Sequence, residues 1–333
     1  MIISAHAYAR AALVGNPSDG YFGKTISFIL KNFRATVKLW ESPTFEIMLG
    51  PADYAKYPTV EAFLREQKLF GYYGGIRLIK AAVKRFFQYC EENDLKVDAR
   101  RSFSISYESD IPRLVGLSGS SSIVTATMRA LMEFYGVQIP KHYLPTLVLS
   151  CERDELNITA GLQDRVIQAY EGIVYMDFDR AQVEKHGYGT YEELRPNPMP
   201  PLYVAYDPAR AEISDVPHRN LKQLWNQGDA GVISAMRELS ALTDRGRTAL
   251  MAGDWKSLGQ VIDANFAVRQ KIMHIAPENQ RMVDVARSVG CSAHFTGSGG
   301  AITGLYADGM QYQSLVDAMA LVGCSVVRPI IFE

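Results

Sequence analysis

The chain is short of cysteine, and what it has is scattered. Cys90, Cys151, Cys291 and Cys324 are the 4 in 333 residues, and none belongs to a CxxC or CxxxC pair. That spacing excludes a disulfide framework or a zinc cluster and fits small buried hydrophobes in a reduced compartment. His6, His142, His186, His218, His274 and His294 are equally dispersed, which leaves no basis for a histidine metal site. An excess of one charge is missing too: 35 Lys plus Arg against 36 Asp plus Glu leave a formal net charge of -1, with no long block of either sign. Nucleic acid is therefore not an expected partner. Long apolar runs are absent, since a stretch such as Thr25–Leu30 falls far short of a bilayer span. The N-terminus shows no basic region leading into an apolar core. The expectation is a cytoplasmic protein with no membrane partner. Repeats, low-complexity tracts and a GxxxxGKS/T phosphate loop are absent as well.

What is present is ordinary globular composition, 47% hydrophobic and 21% charged, over a length that suits two domains. Composition breaks at RPNPMPP, Arg195–Pro201, with four prolines in seven residues. This break divides the chain into an N-terminal domain, 1–195, and a C-terminal domain, 196–333. Before it, Thr25–Leu30, Asn32–Trp40 and Phe45–Leu49 are rich in β-branched and aromatic residues and read as strands of a small mixed sheet. Ile76, Ile79, Val83, Phe86 and Phe87, at three-to-four spacing, predict a helix over Gly75–Glu92. Ser102–Tyr107 alternates like a half-buried strand; helices are expected over Ser121–Tyr135, Leu144–Asp154 and Gln163–Tyr170, then a strand over Gly172–Phe178. After the break come a strand, Leu202–Tyr206, and helices within Arg219–Val289. Strands His294–Thr296 and Ile302–Ala307, a helix Met310–Leu321 and a strand Ser325–Phe332 complete the chain. That order, with one helical insertion, is the split βαβ pattern of a ferredoxin-like domain.

Three segments carry groups suited to chemistry. Gly116–Ser122, GLSGSSS, precedes a helix; its glycines permit unusual backbone, and amides opening a helix form a donor surface for phosphate. Its serines add hydroxyl donors and oxygen ligands for Mg²⁺. Thr296–Ala301, TGSGGA, holds more glycine than a hairpin turn requires, which suggests close backbone approach to a ligand. Between them Glu152 and Asp164 stand twelve residues apart with Gly161 intervening. Two carboxylates brought together by a turn can divide phosphoryl transfer, one on Mg²⁺ and one on the acceptor hydroxyl.

In this order the segments resemble the GHMP kinases. Ala9–Ser27 is similar to the family's first motif, Pro112–Ala126 to the second and Phe295–Leu305 to the third. The resemblance implies an α+β, two-domain fold: an N-terminal domain like domain 2 of ribosomal protein S5, and a C-terminal ferredoxin-like domain. It implies ATP and Mg²⁺ as cofactors, with phosphate bound by Gly116, Ser118, Gly119, Ser120, Ser121 and Ser122. Glu152 matches the Mg²⁺-binding glutamate, Asp164 the proposed catalytic base or anchor of the acceptor hydroxyl, and Arg10 the basic residue of the first motif. Arg10 is expected to offset transition-state charge or to hold Asp164 ionised. Asn16, Ser18, Asp19, Thr296, Gly297, Ser298 and Gly299 fall at substrate-contacting positions of the family motifs. GLSGSS is one residue longer than the family's GLGSS, so Ser120, Ser121 and Ser122 compete for the metal; Ser121 is assigned to it.

Within the family, NPSDGYFGKTIS and GLSGSSSI resemble the members that phosphorylate the anomeric hydroxyl of D-glucuronate. The other acceptors considered are galacturonate, galactose, heptose phosphate and mevalonate, and a non-catalytic nucleotide- or sugar-binding protein is the alternative of another class. Asn16 and Pro17 stand where galactokinase has a Glu-His pair, which disfavours galactose. A sugar-acid carboxylate calls for a cation, for which Arg10, Lys24, Arg34 and Arg113 are candidates. Trp40 and Tyr72 are candidates for stacking on adenine. The expected partners are the sugar acceptor and ATP, and a homodimer is possible.

Overall fold

The computed structural model describes residues 2–49, 59–60, 74–208 and 215–332. Two compact units form. The first combines Met1–Ala9, Phe33–Ile111 and Ser118–Ala169, and the second Arg10–Asn32, Pro112–Leu117 and Tyr170–Glu333. Each unit draws on separate stretches of chain. Tyr72 lies outside the described residues. Among the described residues no helix is long and apolar enough to cross a membrane.

Strands β1 (Ile2–Val14) and β2 (Lys24–Glu41) pair with one another and each contributes residues to both units. In the first unit β2 runs antiparallel to β4 (Phe103–Ser109), with Ala35 opposite Ser109 and Glu41 opposite Phe103. A short β3 (Glu46–Ile47) lies parallel to β4. Ala35, Val37 and Leu39 alternate into the core, the period-two pattern of a strand buried on one face. Helix α1 (Gly75–Glu92) buries Leu78, Ile79, Ala82, Phe86 and Tyr89 and packs on α2 (Gly119–Tyr135). Phe86, Phe87 and Tyr135 join edge to face and stacked. Full burial of a side chain like Phe86 contributes roughly 1.5–3 kcal/mol. Helix α3 (Leu144–Ser150) continues into a π-helical turn, Cys151–Glu155, and α4 (Gln163–Tyr170) follows.

In the second unit β2 pairs antiparallel with β5 (Ile173–Asp177), and β5 with β6 (Thr190–Leu194) after a short α5 (Arg180–His186). A second sheet has the order β10-β7-β9-β8, from β7 (Leu202–Tyr206), β8 (His294–Phe295), β9 (Ala301–Leu305) and β10 (Ser325–Val327), all antiparallel. Numbered from β7 this is the strand order 4-1-3-2, as the split βαβ reading requires. Helices α6 (Asp215–Asn226), α7 (Ala230–Ala252), α8 (Trp255–Ile272) and α9 (Pro277–Ser288) fill the insertion, and α10 (Gly309–Ala320) precedes the last strand. Tyr203, Phe266, Val283, Phe295, Ile302 and Leu315 form its core.

The structure corrects several element boundaries. Thr25–Leu30 and Asn32–Trp40 are one strand, not two. Lys31 and Asn32 at their junction are held by residues 328–330: Lys31 N donates to Ile330 O (2.8 Å), and Asn32 bonds Arg328 O (3.0 Å) and Ile330 N (2.9 Å). The last strand stops at Val327, and Phe45–Leu49 contracts to Glu46–Ile47. Helix α2 opens at Gly119, two residues before the expected start.

Candidate active site

In the first unit the serine segment becomes the N-terminus of α2. Ser118 is the N-cap, in the left-handed region at φ 65°, a conformation uncommon for a non-glycine residue. Four donors hold its carbonyl: Ser122 N (3.1 Å), Ser121 Oγ (3.1 Å), Ser122 Oγ (2.9 Å) and Gln168 Nε2 (3.1 Å). Its hydroxyl does not cap the helix but donates to Asp164 Oδ2 at 2.6 Å. No side chain therefore caps the opening amides of α2.

Glu152 is delivered by the π turn and is fully buried. π turns shift the side-chain register of a helix and recur at functional sites. Its Oε1 accepts from Ser120 Oγ at 2.8 Å, and its Oε2 accepts from Arg165 Nε (2.9 Å) and Arg165 Nη2. Arg165 also donates to Gly161 O (2.8 Å) and lies 3.5 Å from Asp164 Oδ2. One buried cation thus serves both carboxylates. Asp164 keeps 19% of its side chain exposed, so of the two carboxylates it is the one that solvent reaches.

This geometry gives the three serines different partners. Ser121 is fully buried and its hydroxyl turns back to Ser118 O, whereas Ser120 meets Glu152. Successive helical residues point about 100° apart, so only one of three adjacent serines can face the carboxylate. Ser122 is likewise occupied, with Tyr8 O and Ser118 O. Arg165 is the residue that motif wording does not flag, although its place beside Asp164 and thirteen residues from Glu152 was visible.

In the second unit Arg10, 5% exposed, donates to the carbonyls of Gly116 (3.3 Å) and Thr296. Thr296 is buried, and a Cβ on Gly297 would stand 2.5 Å from Gly116 O. The glycine at 297 thus permits close approach to the Gly116 backbone. Ser298 is half-buried and Gly299 buried. Ser18 Oγ donates to Lys24 O (2.8 Å) in a 3-10 turn, Ser18–Tyr21, and Asp19 on that turn is half-buried. Asn16 Oδ1 accepts from Arg269 Nη1 at 2.7 Å, which also donates to Gly297 O at 2.9 Å.

Helix α8 supplies Asn265 as well. Its Oδ1 accepts from Gly15 N (2.7 Å), and its Nδ2 reaches Asn16 O and His294 Nδ1, both at 3.4 Å. His294 Nε2 then donates to Ala12 O at 3.1 Å. Burial, reinforced by the Arg269 charge, lowers the His294 pKa to about 3 and keeps the ring neutral. Burial and the nearby Arg10 charge lower Arg269 to about 10, so it stays cationic at neutral pH. Asn265 and Arg269 stand at i and i+4 within the apolar stripe of α8, the one sequence signal that could have found them.

Among the described residues no group of three or more His, Cys, Asp or Glu could hold a metal alone. Ser120 and Glu152 offer adjoining hard oxygens, a donor set that fits Mg²⁺, which takes one or two protein ligands and completes its shell with phosphate and water.

The fold is an α+β pairing of sheet and helix layers ending in a ferredoxin-like sheet, with a seryl helix terminus set against two carboxylates. The GHMP kinases N terminal domain matches residues 77–172, which contain both carboxylates and the serine segment. Glucuronokinase 1 of Arabidopsis thaliana is 40% identical over 95% of this chain and 88% of its own length. Probable glucuronokinase 2 of the same plant is 37% identical over 99% and 91%. The Streptococcus pneumoniae phosphomevalonate kinase, solved with phosphomevalonate and AMPPNP, superposes with a TM-score of 0.77 over 99% of this chain and 100% of its own, at 14% identity. The chain belongs to the GHMP kinase family.

Proposed function

We propose that the chain transfers the γ-phosphoryl group of ATP to the anomeric hydroxyl of D-glucuronate, giving D-glucuronate 1-phosphate, with Mg²⁺ as cofactor. The observation that carries this reading is the pair of contacts opening α2, Ser118 to Asp164 and Ser120 to Glu152. Its substrate is supported by relatives named glucuronokinase over nearly the whole chain.

The uncapped amides at the start of α2 receive phosphate oxygens, because unpaired N–H groups and the helix dipole converge there. Ser120 and Glu152 would hold Mg²⁺, which when bound offsets charge on the phosphates. Asp164, held by Ser118 and with Arg165 3.5 Å away, orients the acceptor hydroxyl and takes its proton. The acceptor oxygen forms the new bond to the γ-phosphorus as the bond to the β,γ-bridging oxygen breaks, and ADP leaves with that electron pair. Arg10 as a charge-offsetting group, and Asp19 and the segment Thr296–Gly299 as substrate-side groups, belong to the same proposal. A cytoplasmic location goes with it, supported by four cysteines that are all buried thiols.

The test is ADP formation with Mg²⁺ and a panel of glucuronate, galacturonate, galactose, heptose phosphate and mevalonate. Glucuronate is expected to be the best acceptor, and Asp164→Asn to lower kcat by about 10²–10⁴. Turnover on another acceptor alone would remove the substrate from the proposal, and ATP binding without any transfer would remove the reaction.

A further inference from the structure

Arg269 is the most anomalous charge in the described structure. It is fully buried on α8, yet no Asp or Glu among the described residues pairs with it. Arg165, also buried, has its carboxylate; Arg269 has only two neutral acceptors, Asn16 Oδ1 and Gly297 O, and both sit on Nη1. Its Nε and Nη2 are buried and make no hydrogen bond. An ion held away from water without a counter-charge is expensive, and each buried donor left unmade adds to that.

The identity of the two remaining donors matters. Nε–H and the outward N–H of Nη2 lie along one edge of the guanidinium and point the same way, the edge that takes two oxygens of one carboxylate side by side. Nη1 is on the far side and is the atom anchored to protein. Phe295 packs against the plane, 5.1 Å from ring centroid to guanidinium carbon, and fixes its tilt. The guanidinium is therefore held by one nitrogen and one face with its paired edge unused. Both anchors belong to the motif segments, Asn16 in NPSDG and Gly297 in TGSGGA. Half-buried Asp19 and Ser298 lie three residues and one residue along from them, so solvent begins close to both anchors.

We propose that the Nε–Nη2 edge of Arg269 receives the carboxylate of the sugar-acid acceptor, and so distinguishes a uronate from a neutral sugar. This rests on the sugar-acid kinase reading above. Both donors of the edge are buried in this structure. A phosphate would satisfy the same edge, and the experiment separates the two anions. Sequence wording pointed to Arg10, Lys24, Arg34 and Arg113. Lys24 is already engaged with Asp244 at 2.9 Å, and Arg10 with backbone carbonyls.

The experiment compares glucuronate with glucuronamide, which has the same ring and a neutral carboxamide, in the wild type and in Arg269→Gln. The wild type is expected to prefer the acid, and the acid-over-amide ratio of kcat/KM to fall about 100-fold in the variant, mostly through KM for the acid, with KM for ATP unmoved. Arg269→Lys keeps charge and bulk and serves if the glutamine variant does not fold; it is expected to lose most of the preference, since an ammonium cannot span two oxygens as the fork does. An unchanged ratio would overturn the proposal, as would a rise in KM for ATP with the ratio intact, which would assign the edge to phosphate. A wild type that turns over no sugar acid would instead remove the reading on which the proposal stands.

Discussion

At Ser118 a strained backbone, a crowded carbonyl and a committed hydroxyl coincide. A left-handed conformation costs a non-glycine residue roughly 1–2 kcal/mol, and four donors on one carbonyl hold it there so that the hydroxyl meets Asp164. Ser118→Gly relaxes the backbone and removes the CH2OH side chain with its hydroxyl. It is expected to keep or raise Tm while lowering kcat about tenfold, near the ~1.4 kcal/mol of one net hydrogen bond; undiminished kcat would show that the hydroxyl does not orient Asp164. Arg165→Met strands Glu152 as a buried charge, and denaturant titration is expected to show a loss of about 3–5 kcal/mol. Adding Glu152→Gln should recover much of it. Glu152, Asp164 and the serines were legible because local wording marks them. Arg165 and Arg269 were not, because what distinguishes them is a partner gained or withheld in the folded chain.

Elements show the same division between local and non-local causes. Helix α1 follows its own apolar spacing, and the strands of the ferredoxin-like sheet follow theirs. β1 went unrecognised as a strand because Ala5, Ala7, Ala9, Ala11 and Ala12 lack β-branching; burial in the sheet overrides that weak preference. The helix expected through Asp154 loses its α register at Cys151, and no residue type announces a π turn. The TGSGGA turn was recognised as a place of close approach, though what approaches is the Gly116 backbone. Gly297→Ala would force a Cβ to within 2.5 Å of that carbonyl. We expect it to lower both Tm and kcat/KM, the latter more than tenfold; wild-type kinetics would mean that the two segments can separate without consequence.

On the scale of the whole molecule, the acid limb of stability should carry the signature of His294. Its native pKa of about 3 lies below the ordinary 6.5, so between these values the unfolded chain binds a proton that the native chain refuses. Stability therefore falls as pH drops through that window, by up to about 1.4 kcal/mol per pH unit. His294→Gln should flatten this limb in denaturant titrations from pH 7 to pH 4, and an unaltered slope would place the proton uptake elsewhere. The order of elements was enough to give the ferredoxin-like sheet, because short antiparallel connections leave few topologies. The composition of the compact units was not legible, since no composition break marks where β1 and β2 pass from one to the other.

That passage governs the order in which the molecule can come together during synthesis. The first unit is complete once Ala169 has left the ribosome, whereas Arg10–Asn32, among the earliest residues made, belong with Tyr170 and everything after it. The nascent chain must therefore carry the middle of its first hairpin without its β5 partner while the other half of the same two strands is already in place. The second unit closes last, around a segment made at the beginning.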